Sequence, residues 1–154
     1  MDITLIFAAA DNGVIGQDGA IPWRIADDMK RFKTMTLGKR VVMGRKTWES
    51  LPKKPLPGRD NIVISRDPNF RAEGAMVMQR LEDALSKDAM VIGGAEIYRA
   101  ALPLANRIEL TEVHGRFDGD AVFIFDRSGW REVARERHRT PEGLAYSYVT
   151  LVRD

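Results

Sequence analysis

The sequence predicts an α/β fold: one domain built on a central, mostly parallel twisted sheet of about eight strands, with an antiparallel C-terminal strand and about four flanking helices. Three observations carry that expectation. Apolar runs bounded by turn residues recur at 3–10, 40–44, 61–65, 75–78, 89–93 and 107–113. Most are apolar throughout rather than alternating, as strands covered on both faces of a parallel sheet must be. Helical patterns lie between several of them, at 25–35, 46–51, 81–86 and 95–102, and strands alternating with helices build such a sheet. At the C-terminus, Trp130 to Arg139 and Leu144 to Val152 alternate in character around Thr140-Pro141-Glu142-Gly143, which predicts an antiparallel hairpin closing one sheet edge.

The bulk properties bound the function. A chain of 154 residues, 44% hydrophobic and 30% charged, is long enough for a single well-filled core. It has no cysteine, which excludes a disulfide framework and a thiolate metal site. His114 and His138 stand apart without ligand spacing, so no metal site is expected. The apolar N-terminal run is too short to span a membrane and lacks a basic leader, and it reads as a buried strand of a cytoplasmic protein. Net charge is only +2, but residues 24–59 carry eleven Lys and Arg against three Asp and Glu. A basic sector on a near-neutral chain suits a small polyanionic ligand, such as a nucleotide or a polycarboxylate. Nucleic acid is the weaker reading, because no basic run is interleaved with aromatic residues. A monomer is expected.

Taken in order, the first strand leads into residues 11–24, a stretch rich in Gly, Asp and Asn that reads as a long loop of the functional kind. The first helix follows. At about 100° per residue, Ile25, Met29, Phe32 and Met35 share one face and Asp28 falls inside that stripe, while Asp27 points away beside Lys30 and Arg31. A buried lone carboxylate costs several kcal/mol unless something pairs with it. Either the fold supplies Asp28 with a partner or a ligand does. The strand Lys39–Met43 ends at Gly44-Arg45-Lys46-Thr47, where a helix opens, and helix N-termini favour phosphate. The spacing is not that of a P-loop. Met90-Val91-Ile92-Gly93-Gly94 repeats the logic ahead of Ala95-Glu96-Ile97-Tyr98, without the three-glycine dinucleotide fingerprint. Ser65-Arg66 closes a third strand. Three strand ends rich in Gly, Arg, Lys or Ser favour a dinucleotide site over three unrelated turns.

These pieces, in this order and spacing, resemble bacterial dihydrofolate reductases over nearly the whole chain. The resemblance rests on Val14-Ile15-Gly16 with Ile21-Pro22-Trp23, Asp28 with Phe32, and Val42 through Ser50. It continues in Leu56-Pro57-Gly58-Arg59-Asp60-Asn61, Val91 through Tyr98, and Leu110-Thr111. It implies that the chain reduces 7,8-dihydrofolate with NADPH, by hydride transfer to C6 and protonation at N5, and that it takes antifolate inhibitors. Asp28, Thr111 and Trp23 would form the catalytic centre. Asp28 would grip the pyrimidine edge of the pterin, which offers a carboxylate two parallel N–H donors, and Thr111 would buttress it. Ile6 and Ile92 would offer backbone carbonyls to an inhibitor's 4-amino group. Ile21, Phe32 and Leu51 would sandwich the pterin and aminobenzoyl rings, with Ala8 beside them. Arg59 would pair with the α-carboxylate of the glutamate tail, helped by Lys33 and by Lys53 or Lys54. Arg45, Ser65 and Arg66 would hold the cofactor 2′-phosphate. Gly44, Lys46, Thr47 and residues Gly94, Ala95, Glu96, Ile97 and Tyr98 would hold the pyrophosphate, the nicotinamide would lie near Ala8, Ile15 and Gly16, and Ile92 and Gly93 would also bind the cofactor. The Gly93-Gly94 peptide would be cis, and residues 39–90 would form an adenosine-binding subdomain within the single domain 1–154.

The chain departs from the family in two places. The family often reads Gly-Asp-Thr-x-Phe-Pro before the last hairpin, whereas this chain reads Gly119-Asp120-Ala121-Val122-Phe123-Ile124. Asp120 would accept backbone N–H bonds from the loop near Gly16 to Gly19, with the latch loosened by the missing Thr and Pro. Phe7 is bulkier than the residue usually found before Ala8, which leaves the pocket volume open. The rival readings are another NADPH-dependent reductase, acting on a different pterin or a riboflavin-pathway pyrimidine, and a basic nucleotide- or RNA-binding module.

Overall fold

A computed structural model describes residues 1–154. The large sheet contains β1 (Ile3–Ala10), β3 (Arg40–Gly44), β4 (Asp60–Ile64), β5 (Met76–Met78), β6 (Ala89–Gly93), β7 (Arg107–Val113), β9 (Trp130–Arg139) and β10 (Ala145–Arg153). Their order across it is β5-β4-β3-β6-β1-β7-β10-β9. The first six in that row are parallel; β10 runs antiparallel to β7, and β9 pairs antiparallel with β10. The helices are α1 (Ala26–Thr36), α2 (Arg45–Ser50), α3 (Leu81–Ala84) and α4 (Ala95–Ala101), with a 3₁₀ turn at Leu102–Leu104.

The two faces of this sheet differ, and the difference makes the site. On one face a continuous cluster joins Leu5, Phe7, Val42, Ile62, Val91, Ile108, Leu110 and Val149 to Leu81, Ala84, Tyr98 and Ala101 of α3 and α4. The other face carries two smaller clusters. One gathers Val41, Met43 and Val63 under Trp48 of α2. The other gathers Val113, Tyr146 and Tyr148 with Ile25, just before α1. Between them lies a gap floored by Ile6 and Ala8 of β1 and Thr111 of β7, which the register places beside Ala8.

The expected loop 11–24 is partly ordered as strand. Val14–Gly16 (β2) pairs with Ala121–Val122 (β8) in a separate two-stranded sheet. Segments this short have no readable periodicity. At the loop tip Gln17 and Ala20 exchange backbone bonds of 2.7 and 2.9 Å around Asp18 and Gly19, both at positive φ. An Asp-Gly pair is the chemistry such a tight turn selects. Phe7 points away from the gap, because alternation along β1 sends it to the opposite face from Ile6 and Ala8. There it packs against Tyr98, Phe123 and Phe125 with ring centroids 5.0, 5.2 and 6.2 Å away. Its bulk therefore leaves the gap unchanged.

Candidate active site

Asp28 projects from the first turn of α1 over the gap. Thr111 Oγ1 donates to its Oδ1 at 2.6 Å, a bond that ties the helix across β7. No group of the protein donates to Oδ2. Burial pushes the Asp28 carboxyl up from its ordinary value, against the pull of the Thr111 bond and of Arg31, and the Asp27 charge adds to the push. A half-satisfied, partly desolvated carboxylate of this kind is complementary to a ligand edge with paired N–H donors.

The helix phase differs from the sequence reading. Met29 is 69% exposed, and Ile25 is buried but precedes the helix as its N-cap residue. The arc of the first two turns that meets the sheet runs from Asp27 through Arg31 and Asp28 to Phe32, about 140° wide at helical spacing. Asp27 is accordingly not a simply solvated neighbour. It accepts a 2.7 Å bond from the Tyr148 hydroxyl, with the Tyr146 hydroxyl at 3.5 Å. Arg31 bonds Glu109, which is 1% exposed, at 3.1 Å. Apolar content alone had set the expected phase, whereas polar partners on β7 and β10 decide the actual one. The signal was present in the period-two series Tyr146, Tyr148, Thr150, which presents hydroxyl-bearing side chains to α1 and to Glu109.

The other residues expected around a pterin lie on or beside the elements that border the gap. Phe32 is half-buried on α1, and Leu51 sits at the C-cap of α2. Ile92 packs at the edge of the α2-side cluster, while Ala8 and Trp23 lie against the β10-side cluster, with Trp23 edge-on to Phe117 at 5.1 Å. Ile21 is 61% exposed. The Ile6 carbonyl already accepts a 2.8 Å bond from the Tyr98 hydroxyl, which leaves one lone pair for a ligand. Arg59 has no carboxylate partner. Its Nε donates to the Pro57 carbonyl at 2.9 Å and its Nη1 to Thr36 Oγ1 at 3.1 Å. Burial draws its guanidinium down from its ordinary value. Lys33 and Lys53 are exposed, but Lys54 is committed to the C-terminal end of α2, bonding the Trp48 and Glu49 carbonyls at 3.3 and 3.1 Å. A residue given no role by the sequence reading, Asn61, clamps the Arg59 loop. It accepts from the Leu56 amide and donates to the Leu56 and Arg59 carbonyls at 2.9–3.0 Å. A buried Asn opening an otherwise apolar strand was its only signal.

The three Gly-, Arg- and Ser-bearing strand ends belong to adjacent strands, in the order β4-β3-β6. They fit a dinucleotide on two counts. The helices α2 and α4 follow Gly44 and Gly94 with no side chain capping their first N–H groups. A Cβ on Gly44 would stand 3.0 Å from Ile97 and one on Gly93 would stand 3.3 Å from Thr47 Oγ1, tighter than side chains ordinarily pack, so glycine eases the approach. The Gly93-Gly94 peptide is cis. The cations at this row make loose exposed pairs, Arg45 with Glu49 and Arg66 with Glu96, each at 3.4 Å, and the Arg45 guanidinium also lies over the Phe70 ring at 4.5 Å. Ser65 is buried, and its hydroxyl accepts the Asp67 amide at 3.2 Å. Lys46 is exposed, and Ala95, Glu96 and Tyr98 open α4 beside Gly94. Ile15 and Gly16 lie on β2, and the loop they belong to is tied down at the Asp18 amide, which donates to both oxygens of Asp120 at 3.2 Å.

Fold and cleft together define an α/β protein with a nucleotide-type strand-end row beside a carboxylate-bearing gap. The whole chain is similar to proteins of known kind. A family profile described as dihydrofolate reductase matches residues 2–153. The dihydrofolate reductase of Neisseria gonorrhoeae is 50% identical over 156 residues, covering 97% of this chain and 96% of that protein. That of Mycobacterium tuberculosis H37Rv is 47% identical, covering 98% of each. A solved structure of the Enterococcus faecalis dihydrofolate reductase, complexed with NADP(H) and RAB-propyl, superposes with a TM-score of 0.91. It is 33% identical and covers 99% of this chain and 96% of that one. The chain belongs to the dihydrofolate reductase family.

Proposed function

We propose that the gap over Ile6, Ala8 and Thr111 holds the pterin of 7,8-dihydrofolate, with the strand-end row beside it holding NADPH. The reaction is NADPH-dependent reduction of dihydrofolate to tetrahydrofolate, a step of one-carbon metabolism and the target of antifolates. The single observation that carries the site assignment is the Asp28 carboxylate, bonded to Thr111 through one oxygen and free at the other. It would accept the two N–H donors of the pyrimidine edge, orient the ring, and favour the positive charge that develops when N5 gains its proton. Solvent water would deliver that proton, with Asp28 polarising the ring from its far side. Phe32, Leu51 and Ile21 would cover the ring faces, and Arg59, held by Asn61 and Thr36 but lacking a carboxylate, would take the tail. Bound NADPH supplies the hydride. Arg45, Ser65 and Arg66 would select its 2′-phosphate, and residues 39–90 would form the adenosine-binding subdomain. Closing residues 11–24 over the gap would exclude bulk water and align the rings.

No helix is long and apolar enough to cross a membrane. We place the protein in the cytoplasm, as a chain without cysteine permits, and as a monomer. A rival reductase acting on a ribityl phosphate pyrimidine would need neither Asp28 nor Arg59. Loss of NADPH absorbance on adding dihydrofolate tests the reading, run beside a panel of other pterins and pyrimidines. Turnover with dihydrofolate in the native chain and its collapse in Asp28→Asn support it. Equal activity in the two proteins, or turnover only with a phosphorylated pyrimidine, overturns it.

A further inference from the structure

Tyr148 touches both charged neighbours of Asp28. Its hydroxyl donates to Asp27 Oδ2 at 2.7 Å. Its ring lies under the Arg31 guanidinium, whose carbon is 4.1 Å from the ring centroid. Arg31 is held from its other side by Glu109, itself anchored by Arg107 at 2.8 Å and by the Thr150 hydroxyl. Tyr148 is only 6% exposed, so these contacts have one geometry. Asp27, by contrast, is an exposed residue in the first turn of α1. It could face water there and still satisfy the helix dipole. Its bond to β10 instead holds a second carboxylate beside Asp28, where its charge opposes ionisation of Asp28.

We propose that Tyr148 is a positioning residue for the reduction: by holding Asp27 with its hydroxyl and Arg31 with its ring, it fixes the field at Asp28 and so the pH range over which hydride transfer is fast. The proposal rests on Asp28 being the group that binds the pterin. The groups facing Asp28 are Asp27 and Arg31 from α1, Thr111 from β7, and Tyr146 and Tyr148 from β10. Glu109 acts through Arg31, and His138 of β9 stacks on Tyr146 at 5.4 Å and packs tilted against Tyr148 at 5.1 Å. Among the charges, Asp27 favours the protonated form of Asp28 and Arg31 the ionised form. Burial and the adjacent carboxylates push the Tyr148 phenol far above its ordinary value, so it remains a neutral donor throughout the working pH range.

The sign follows from the chemistry. N5 must gain a proton as C6 gains hydride, so the rate falls as pH rises. A negative charge at Asp27 favours the protonated Asp28–pterin pair and holds that fall at higher pH. Removing the charge moves it lower. Single-turnover hydride transfer, measured from pH 5 to 9 in the full chain, reads the midpoint directly. Asp27→Asn should move it down by roughly half a pH unit, the scale of a screened neighbouring charge. The rate on the alkaline side should then be about threefold lower, with an unchanged acid plateau. Tyr148→Phe should shift the midpoint in the same direction, and the double variant should match Asp27→Asn, since the hydroxyl then has no charge to hold. Tyr146→Phe, whose hydroxyl stands at 3.5 Å, should leave the midpoint in place. A merely structural role would lower the rate equally at every pH with a fixed midpoint, and that result overturns the proposal. Should Tyr148→Phe fold poorly, Asp27→Glu at an exposed position keeps the charge but displaces it from the Tyr148 hydroxyl: a lowered midpoint supports the proposal, and a midpoint unchanged from the parent overturns it. Normal activity in Asp28→Asn would instead overturn the site reading beneath it.

Discussion

Asp28 concentrates what a single residue decides. Asp28→Asn keeps the shape but turns one acceptor into a donor that faces a donor. Steady-state turnover at neutral pH should fall by at least ~100-fold, a few kcal/mol of transition-state stabilisation. The same change should not weaken the fold. The Asp28 carboxyl is raised in the folded chain, so the native state holds the proton more tightly than the unfolded state. Stability is therefore present below the unfolded value and declines as pH rises through the folded one. Thermal unfolding at pH 8 should find the variant at least as stable as the parent, with the difference vanishing near pH 3. Arg59→Ala should weaken binding of ligands with a glutamate tail and spare small diaminopyrimidines. Equal losses for both in equilibrium titrations would remove Arg59 from the tail site. The sequence made Asp28 conspicuous because a carboxylate inside an apolar stripe needs a reason. Asp27 and Met29 were placed wrongly because hydrophobicity sets a helix phase only where the facing surface is apolar, and here it is lined by tyrosines, a threonine and a buried glutamate.

At the scale of elements, strands and helices were legible within a residue or two, since continuous apolar runs and Gly-bearing strand ends have few other uses. The small sheet of β2 and β8 was not. It is held by approach rather than by pattern: a Cβ on Gly119 would stand 2.2 Å from Val14 Cγ1 and 2.6 Å from the Gly16 carbonyl. The Phe123 amide also donates to the Gly13 carbonyl at 2.9 Å. The anchor is thus intact without the Thr and Pro that the family often carries. Asp120→Ala removes the acceptor for the Asp18 amide, a contact to a charged group worth about 1.5–3 kcal/mol when well formed. At 3.2 Å and exposed it belongs at the low end. The variant should slow hydride transfer and weaken NADPH binding severalfold without touching either ligand. Stopped-flow kinetics with unchanged values for both would show that the pairing of β2 with β8 suffices.

For the whole molecule, what the sequence did not reveal is the order of strands. Parallel strands announce themselves but not their neighbours, and the gap exists only because the strand order leaves one face with two separate cores. Charge asymmetry, by contrast, was readable at once. The cationic stretch from Arg24 to Arg59 supplies α1, α2 and the Arg59 loop, all of which border the gap or the strand-end row. Both proposed ligands are anions. Their capture should therefore be steered, so kcat/KM for each should fall as salt is raised from about 0.01 to 0.15 M, over which the screening length shrinks from about 30 to 8 Å. A flat response would mean that the basic sector is only a solvated face.

The position of β1 has a consequence for how the molecule is made. It precedes every other strand of the sheet along the chain, and its eight residues are almost wholly buried. Yet its only partners in the large sheet are β6, beginning at Ala89, and β7, beginning at Arg107. Until those segments exist, Ile-Thr-Leu-Ile-Phe-Ala-Ala-Ala has two bare edges and no cover, the sequence type most prone to pair with a stranger. Of the strands in the large sheet it waits longest for its partners, and the floor of the proposed pterin site is therefore laid by the segment most in need of protection during synthesis.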